Sequence, residues 1–195
     1  MNNDNSSNIE LQEHYKDYTP PLNVSKVFRR LISGVPNERL VGLKYIILKN
    51  SKALNHKDRR RKTWSRKRKV TLSKCYGWYS EKWEGRPAHI EIIVDNILEP
   101  WPRALLYFSF FKDLLFADTL FHEIGHHIHK TQAPEYRERE DVAEKWSRIL
   151  SRQYFRKRYW YIMVLLWPFK ALIDLKNKYV IKKQTNKQVE QRAAK

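Results

Sequence analysis

The run HEIGH, from His122 to His126, is the feature that most restricts what this chain can form. Residues four apart on an α-helix project to the same side, so the two imidazoles can hold one metal ion between them. Zinc is the expected metal, because imidazole nitrogen is one of its preferred ligands. Glu123 follows the first histidine by one residue, and we expect it to act as a general base beside a metal-activated water.

The motif lies within a long helical pattern that begins after Pro102 and runs through Lys130, with a predicted bend near Lys112. Apolar residues at helical spacing form a stripe on a different face from the histidines: Leu114, Ala117, Phe121, Ile124 and Ile128. The periodicity breaks around residues 132–134, and a second helix is predicted over residues 135–155. The sequence therefore predicts an antiparallel pair of helices with a short turn.

A zinc ion that activates water usually has three protein ligands, so a third ligand must come from outside the motif. If the turn is centred near residues 132 and 133, Glu140 lies at the height of the two histidines, and we expect it to be that ligand. Glu144, one turn further, is expected to accept a hydrogen bond from a ligating imidazole. The two glutamates could exchange these roles. An alternative is that both belong to a solvated face that makes ion pairs with nearby cations.

HEIGH followed by EDVAE, from Glu140 to Glu144, resembles the gluzincin pattern of HExxH with a downstream ExxA(D/E). Gluzincins are zinc peptidases in which a glutamate completes the metal site. The resemblance implies that His122, His126 and Glu140 bind one zinc ion, that Glu123 is the base, and that Glu144 supports a histidine. It also implies a small zincin-like fold.

In such enzymes the strand before the metal helix pairs with an extended substrate, and HIEIIVDNI, residues 89–97, occupies that place in the order. A side chain that stabilises the oxyanion is also expected, and Tyr136, His129 and Tyr154 are the candidates, among which the sequence does not choose. His127 points away from the ligand pair, which predicts a surface position.

The segments before the motif predict an α+β fold, in which a short antiparallel or mixed β-sheet packs on the HExxH helix and on the following antiparallel helix. A helix capped by Asn23 or Ser25 is predicted to stop at Gly34, and a strand is predicted over residues 40–49. Alternating apolar residues over 70–80 predict another strand, which forms a hairpin with the strand in residues 89–97.

A chain of 195 residues with 42% hydrophobic residues suits one compact domain, predicted over residues 21–158. Residues 1–20 are polar and predict a disordered or loosely held arm without a secretory signal. The apolar aromatic segment 159–181 is too short to span a membrane, which leaves burial in the core or a position at a membrane interface. Residues 182–195 predict a polar, basic tail.

The formal net charge of +18 is concentrated in a predicted basic loop, residues 55–69. Such clusters attract nucleic acid or anionic membrane surfaces, and the residues expected to do so are Arg59, Arg60, Arg61, Arg66 and Arg68. An alternative is a solvated loop kept extended by self-repulsion. The single cysteine allows no disulfide within the chain, so we expect a cytoplasmic protein, with membrane association as a further option.

The sequence thus favours a zinc-dependent metallopeptidase acting on a peptide or protein substrate. The alternative is a basic protein that binds nucleic acid or a membrane surface and carries a structural or vestigial metal site. The two functions differ in what the metal does, and both leave the oligomeric state open.

Overall fold

The structure, a computed structural model, describes residues 9–65, 68–83, 85–132, 139–162 and 164–165, without the side chains of residues 63–65 and 68. The chain divides into two compact units, Met1–Tyr154 and Phe155–Lys195. The strands in chain order are β1 (Glu10–His14), β2 (Leu43–Lys49), β3 (Lys62–Ser65), β4 (Arg68–Thr71), β5 (Gly77–Ser80) and β6 (Ala88–Ile93). The helices are α1 (Val24–Ile32), α2 (His56–Arg60), α3 (Val94–Leu98), α4 (Ser109–Thr131) and α5 (Arg139–Arg158).

A mixed sheet of four strands, in the order β1-β2-β6-β5, forms the centre of the first unit. β1, β2 and β6 are mutually parallel, and β5 pairs antiparallel with β6 at one edge. This confirms the predicted α+β class and the hairpin. β6 lies between β2 and β5, so the prediction that residues 89–97 pair with a substrate is wrong: both edges of that strand are already occupied.

Helix α1 begins where the sequence predicts, because the Asn23 side chain accepts a hydrogen bond from the backbone N–H of Lys26. Its buried face packs on α4, where the rings of Phe28 and Phe116 meet edge to face at 5.3 Å. On the sheet side, a side chain at Gly77 would collide with β6 and with Thr119 of α4. Helix α4, which carries HEIGH, is therefore held between α1 and the sheet.

Several boundaries differ from the sequence predictions. The predicted N-terminal arm contains β1, an edge strand whose backbone pairs with β2 along its full length. The predicted strand over residues 70–80 is interrupted by a 3-10 turn at Leu72–Lys74, and residues 94–98 form α3 instead of continuing β6. The helical pattern after Pro102 is a 3-10 turn, Arg103–Tyr107, followed by α4, so the bend lies at Phe108.

The second unit is described only as far as residue 165, so most of the apolar segment 159–181 and all of the tail 182–195 lie outside the described residues. Within the described ranges, no helix combines the length and the apolarity that crossing a membrane requires.

Candidate metal centre

Helix α4 presents His122 and His126 on one side, with their ring centroids 4.8 Å apart and their planes nearly perpendicular. The apolar stripe predicted for this helix is buried at Ala117, Phe121, Ile124 and Ile128, whereas Leu114 is exposed. The four buried side chains fix the rotation of the helix against the core. The two histidines consequently face the gap between α4 and α5.

Glu140 of α5 completes the cluster. Its Oε2 lies 3.4 Å from Nε2 of His122, and its Oε1 lies 3.6 Å from Nε2 of His126. The three residues can each offer one ligand atom within 4.8 Å of the others, so this cluster could hold a metal ion. The prediction that Glu140 joins the two histidines agrees with this geometry.

The distances within the cluster suit a shared cation. Nitrogen and oxygen ligands about 2.0–2.2 Å from a tetrahedral zinc lie roughly 3.3–3.6 Å from one another. The separations of 3.4 and 3.6 Å between Glu140 and the imidazoles match this spacing, and they exceed the usual 2.7–3.2 Å of a direct N–H···O hydrogen bond. These two separations, with all three ligand atoms within 4.8 Å of one another, are compatible with a shared metal ion.

Close packing of the two helices brings Glu140 within reach. A Cβ atom added at Gly125 would lie 2.6 Å from the backbone oxygen of Ala143 and 2.8 Å from its Cα. Only glycine permits this approach, which is why the fourth residue of HEIGH lacks a side chain. Phe121, one turn earlier, packs edge to face on Tyr154 and extends the contact along α5.

The electrostatic setting favours the neutral form of the His126 imidazole. Burial, together with the charge of His122, lowers the pKa of His126 to about 4. A neutral imidazole has a nitrogen lone pair available for a metal, so the site favours the ligating form near neutral pH.

Glu123 lies about 100° around the helix from His122, on the side of α4 that faces β5. The same side carries Thr119, which approaches Gly77, and His127, which contacts Tyr79. The Glu123 side chain is buried. Burial of the Cys75 thiol, and after it the negative charge of Glu123, raises the pKa of that thiol to about 11. The carboxylate thus lies between the ligand pair and the edge strand.

His127 was predicted at the surface, and this prediction is wrong. Its side chain is fully buried, with Nε2 3.0 Å from the carbonyl oxygen of Val41 and Nδ1 3.3 Å from the hydroxyl of Tyr79. Because His127 follows His126 by one residue, it lies on a different side of α4, the side that faces the sheet. The His127 side chain therefore connects α4 to β5 and to the segment before β2. The sequence pattern gave no indication of this role.

The other predicted residues have different outcomes. Glu144 is exposed and pairs with Arg148 on α5, so its predicted role as an acceptor for a ligating histidine is wrong.

Tyr154 donates a hydrogen bond to Asp113, nine residues before His122 and about 13 Å away along the helix axis, so it is not an oxyanion stabiliser. His129 is buried, and its charge contributes to the lowered pKa of His126. Tyr136 lies outside the described residues.

The predicted anion-binding arginines lie in a folded segment. Arg59 and Arg60 belong to α2, Arg61 follows it, and Arg68 begins β4. Arg66 lies outside the described residues.

No protein-family model, curated protein or solved structure matches this chain.

Proposed function

We propose that this protein is a zinc-dependent peptidase. The observation that carries the proposal is the convergence of His122, His126 and Glu140, whose ligand atoms lie within 4.8 Å of one another, with a buried glutamate directly after the first histidine. Three protein ligands leave one position for water or substrate, which distinguishes catalytic zinc sites from four-ligand structural sites. The resemblance of these sequence motifs to the gluzincin pattern implies the same ligand set.

Zinc, when bound, acts as a Lewis acid that polarises the substrate carbonyl and lowers the pKa of a water molecule. Glu123 takes the proton from the attacking water and then delivers it to the leaving amine of the cleaved peptide. The burial of Glu123 suits both steps, because it keeps bulk water away from the proton that is transferred. The metal would be held by two histidines from α4, His122 and His126, and by Glu140 from α5.

The sheet supports a peptide as the substrate. β5 pairs with β6 on one side, and in the described part of the chain no strand pairs with its other side. An extended peptide can add to such an edge through backbone hydrogen bonds. Because the Glu123 side of α4 faces β5, a peptide bound there would pass beside the base and the ligand pair.

Substitution of Glu123 by Gln tests the mechanism. The variant should keep its zinc, because Glu123 is not a ligand, and should lose turnover of an internally quenched peptide library by at least about 100-fold, the lower range of general-base effects. Zinc content is measured by elemental analysis of the purified full chain. Glu144→Gln is the matched control, because it makes the same chemical change on the exposed face of α5 and should leave both quantities unchanged. Wild-type protein that binds zinc but cleaves no member of the library would contradict the peptidase proposal and favour a structural metal.

A further inference from the structure

The most basic part of the chain is a folded surface and not the loop that the sequence predicts. Residues 55–69 contain nine Lys or Arg against a single Asp. The described residues of this segment form α2, β3 and the first part of β4, and the two strands pair antiparallel in a sheet separate from the main one. We call α2 with β3 and β4 the basic hairpin.

Hydrogen bonds fasten the basic hairpin to the domain. The backbone N–H of Leu72 donates to the carbonyl of Arg61, and the Ser73 hydroxyl donates to the carbonyl of Arg59. Asn55 caps α2 by accepting from the backbone N–H of Asp58. Leu54 and Leu72, at the two ends of the segment, are buried. The cations are therefore displayed on a fixed support.

The basic hairpin holds like charges close together, and their repulsion lowers the stability of the fold. Lys57, Arg60, Arg61, Lys62 and Lys69 are all exposed, and among the described residues no carboxylate forms an ion pair with Arg60, Arg61, Lys62 or Lys69. Crowding cations without counter-charges destabilises a fold, and a bound polyanion removes that repulsion. A disordered loop would let the same charges move apart, so the folding of this segment favours a specific anionic partner.

We propose that the basic hairpin binds the phosphate backbone of double-stranded nucleic acid. A two-stranded antiparallel ribbon has dimensions that the major groove of B-DNA admits, and α2 places further cations beside the ribbon. A membrane surface fits less well, because Trp64 is the only large apolar residue between 55 and 69, so little apolar burial would add to the electrostatic attraction of anionic lipid. This inference does not depend on the proposed peptidase activity.

The test measures binding of the full-length protein to a fluorescent DNA duplex of about 20 base pairs by anisotropy over a range of salt concentrations. Binding should weaken steeply with salt. The quadruple variant Arg60→Gln, Arg61→Gln, Lys62→Gln and Lys69→Gln should lower the slope of log K against log salt by about 3–4 and weaken binding at least about tenfold near 100 mM salt. The side chains of these residues form no hydrogen bond within the described part of the chain, so the variant should fold.

A second quadruple variant separates this surface from overall charge. Lys26→Gln, Arg29→Gln, Lys44→Gln and Arg152→Gln removes the same charge from exposed positions on α1, β2 and α5. It should retain most of the salt slope and affinity. Equal losses in the two variants would overturn the proposal, because binding would then follow net charge alone. Tighter binding to anionic phosphatidylserine vesicles than to the duplex, lost in the first variant, would also overturn it in favour of a membrane.

Discussion

Gly125 of α4 lies directly against the backbone of Ala143 in α5, with room for a hydrogen atom and not for a methyl group. Gly125→Ala should push the helices apart and move Glu140 away from the histidines. We expect zinc affinity to fall, and the free energy of unfolding to fall by about 1–3 kcal/mol, as for other overpacked contacts. Isothermal titration with zinc and urea denaturation measure the two effects.

The atoms in that contact make a specific control possible. The nearest atoms to the added methyl group belong to the backbone of Ala143 and not to its side chain. Adding Ala143→Gly to Gly125→Ala should therefore fail to restore zinc binding. Full recovery in the double variant would show that side-chain crowding, and not backbone approach, sets the distance between the helices.

The choice between the two glutamates gives a second prediction. Glu140→Ala should reduce zinc affinity by more than about 100-fold, the upper range for residues that only support a ligand. Glu144→Ala should leave the affinity unchanged, since the side chain is exposed and bound to Arg148. Competition with a zinc-binding dye measures both variants. Similar losses in the two would contradict the ligand set.

The sequence could reveal the metal helix because its signal is local. The histidine spacing and the buried stripe both follow from 3.6 residues per turn, and neither depends on distant parts of the chain. The choice of Glu140 over Glu144 as the third ligand depended on the position of α5 along the axis of α4. That position depends on how the two helices pack, as at Gly125 against Ala143, and the helical period of either helix alone does not fix it. The prediction of Glu140 agrees with the structure, whereas the role given to Glu144 was wrong.

Features that depend on distant contacts were missed. β1 is an edge strand with a mixed pattern of exposed and half-buried residues, and it pairs with a strand more than thirty residues away, so its own sequence carries little signal. The burial of His127 depends on Tyr79 and on the Val41 carbonyl, both far away in the chain. The fold of the basic hairpin was missed because its charge density alone favours an extended loop.

Tyr154 provides a third prediction, because its position assigns it to stability and not to catalysis. Its hydroxyl donates to Asp113, which is fully buried and also bound by Arg30. Tyr154→Phe should lower the free energy of unfolding by about 2 kcal/mol, because a buried carboxylate loses a donor. Zinc content and peptide turnover should stay at the wild-type level. Tyr107→Phe, at an exposed position, is the control for loss of a hydroxyl. A large loss of turnover with intact zinc would restore Tyr154 as a candidate for the oxyanion.

A half-buried cluster of charges on the sheet gives a fourth prediction. Glu91 bonds Lys49 and lies 3.4 Å from His89. The hydrogen bond that His89 donates to Glu91 raises the pKa of His89 above its ordinary 6.5, against the effect of burial. Burial alone would raise the pKa of Glu91, but the bonds from His89 and Lys49 outweigh it and hold that pKa below 4.5.

The sign of the pH dependence follows from these shifts. The contribution of His89 is full below pH 6.5 and is lost as pH rises through its raised pKa. The contribution of Glu91 is full above pH 4.5 and is lost as pH falls through its lowered pKa. Both contributions are full between about pH 4.5 and pH 6.5, so the cluster should stabilise the fold most in this range. Glu91→Gln should lower the pKa of His89, measured by NMR titration, and flatten this part of the stability profile. An unchanged pKa of His89 in the variant would contradict the pairing.

Metal removal gives the last prediction, because the ligands come from two helices that the ion would join. A ligand that binds only the folded state adds about 4 kcal/mol to the free energy of unfolding when its concentration is 1,000 times its Kd. Chelation of zinc should therefore lower the Tm of the wild-type protein and of Glu123→Gln by the same amount, because Glu123 is not a ligand. His126→Ala removes one of the two imidazoles on α4, so its Tm should be insensitive to the chelator. Differential scanning fluorimetry at fixed protein and zinc concentrations measures all three proteins. A chelator effect that persists in His126→Ala would place the bound metal elsewhere in the chain.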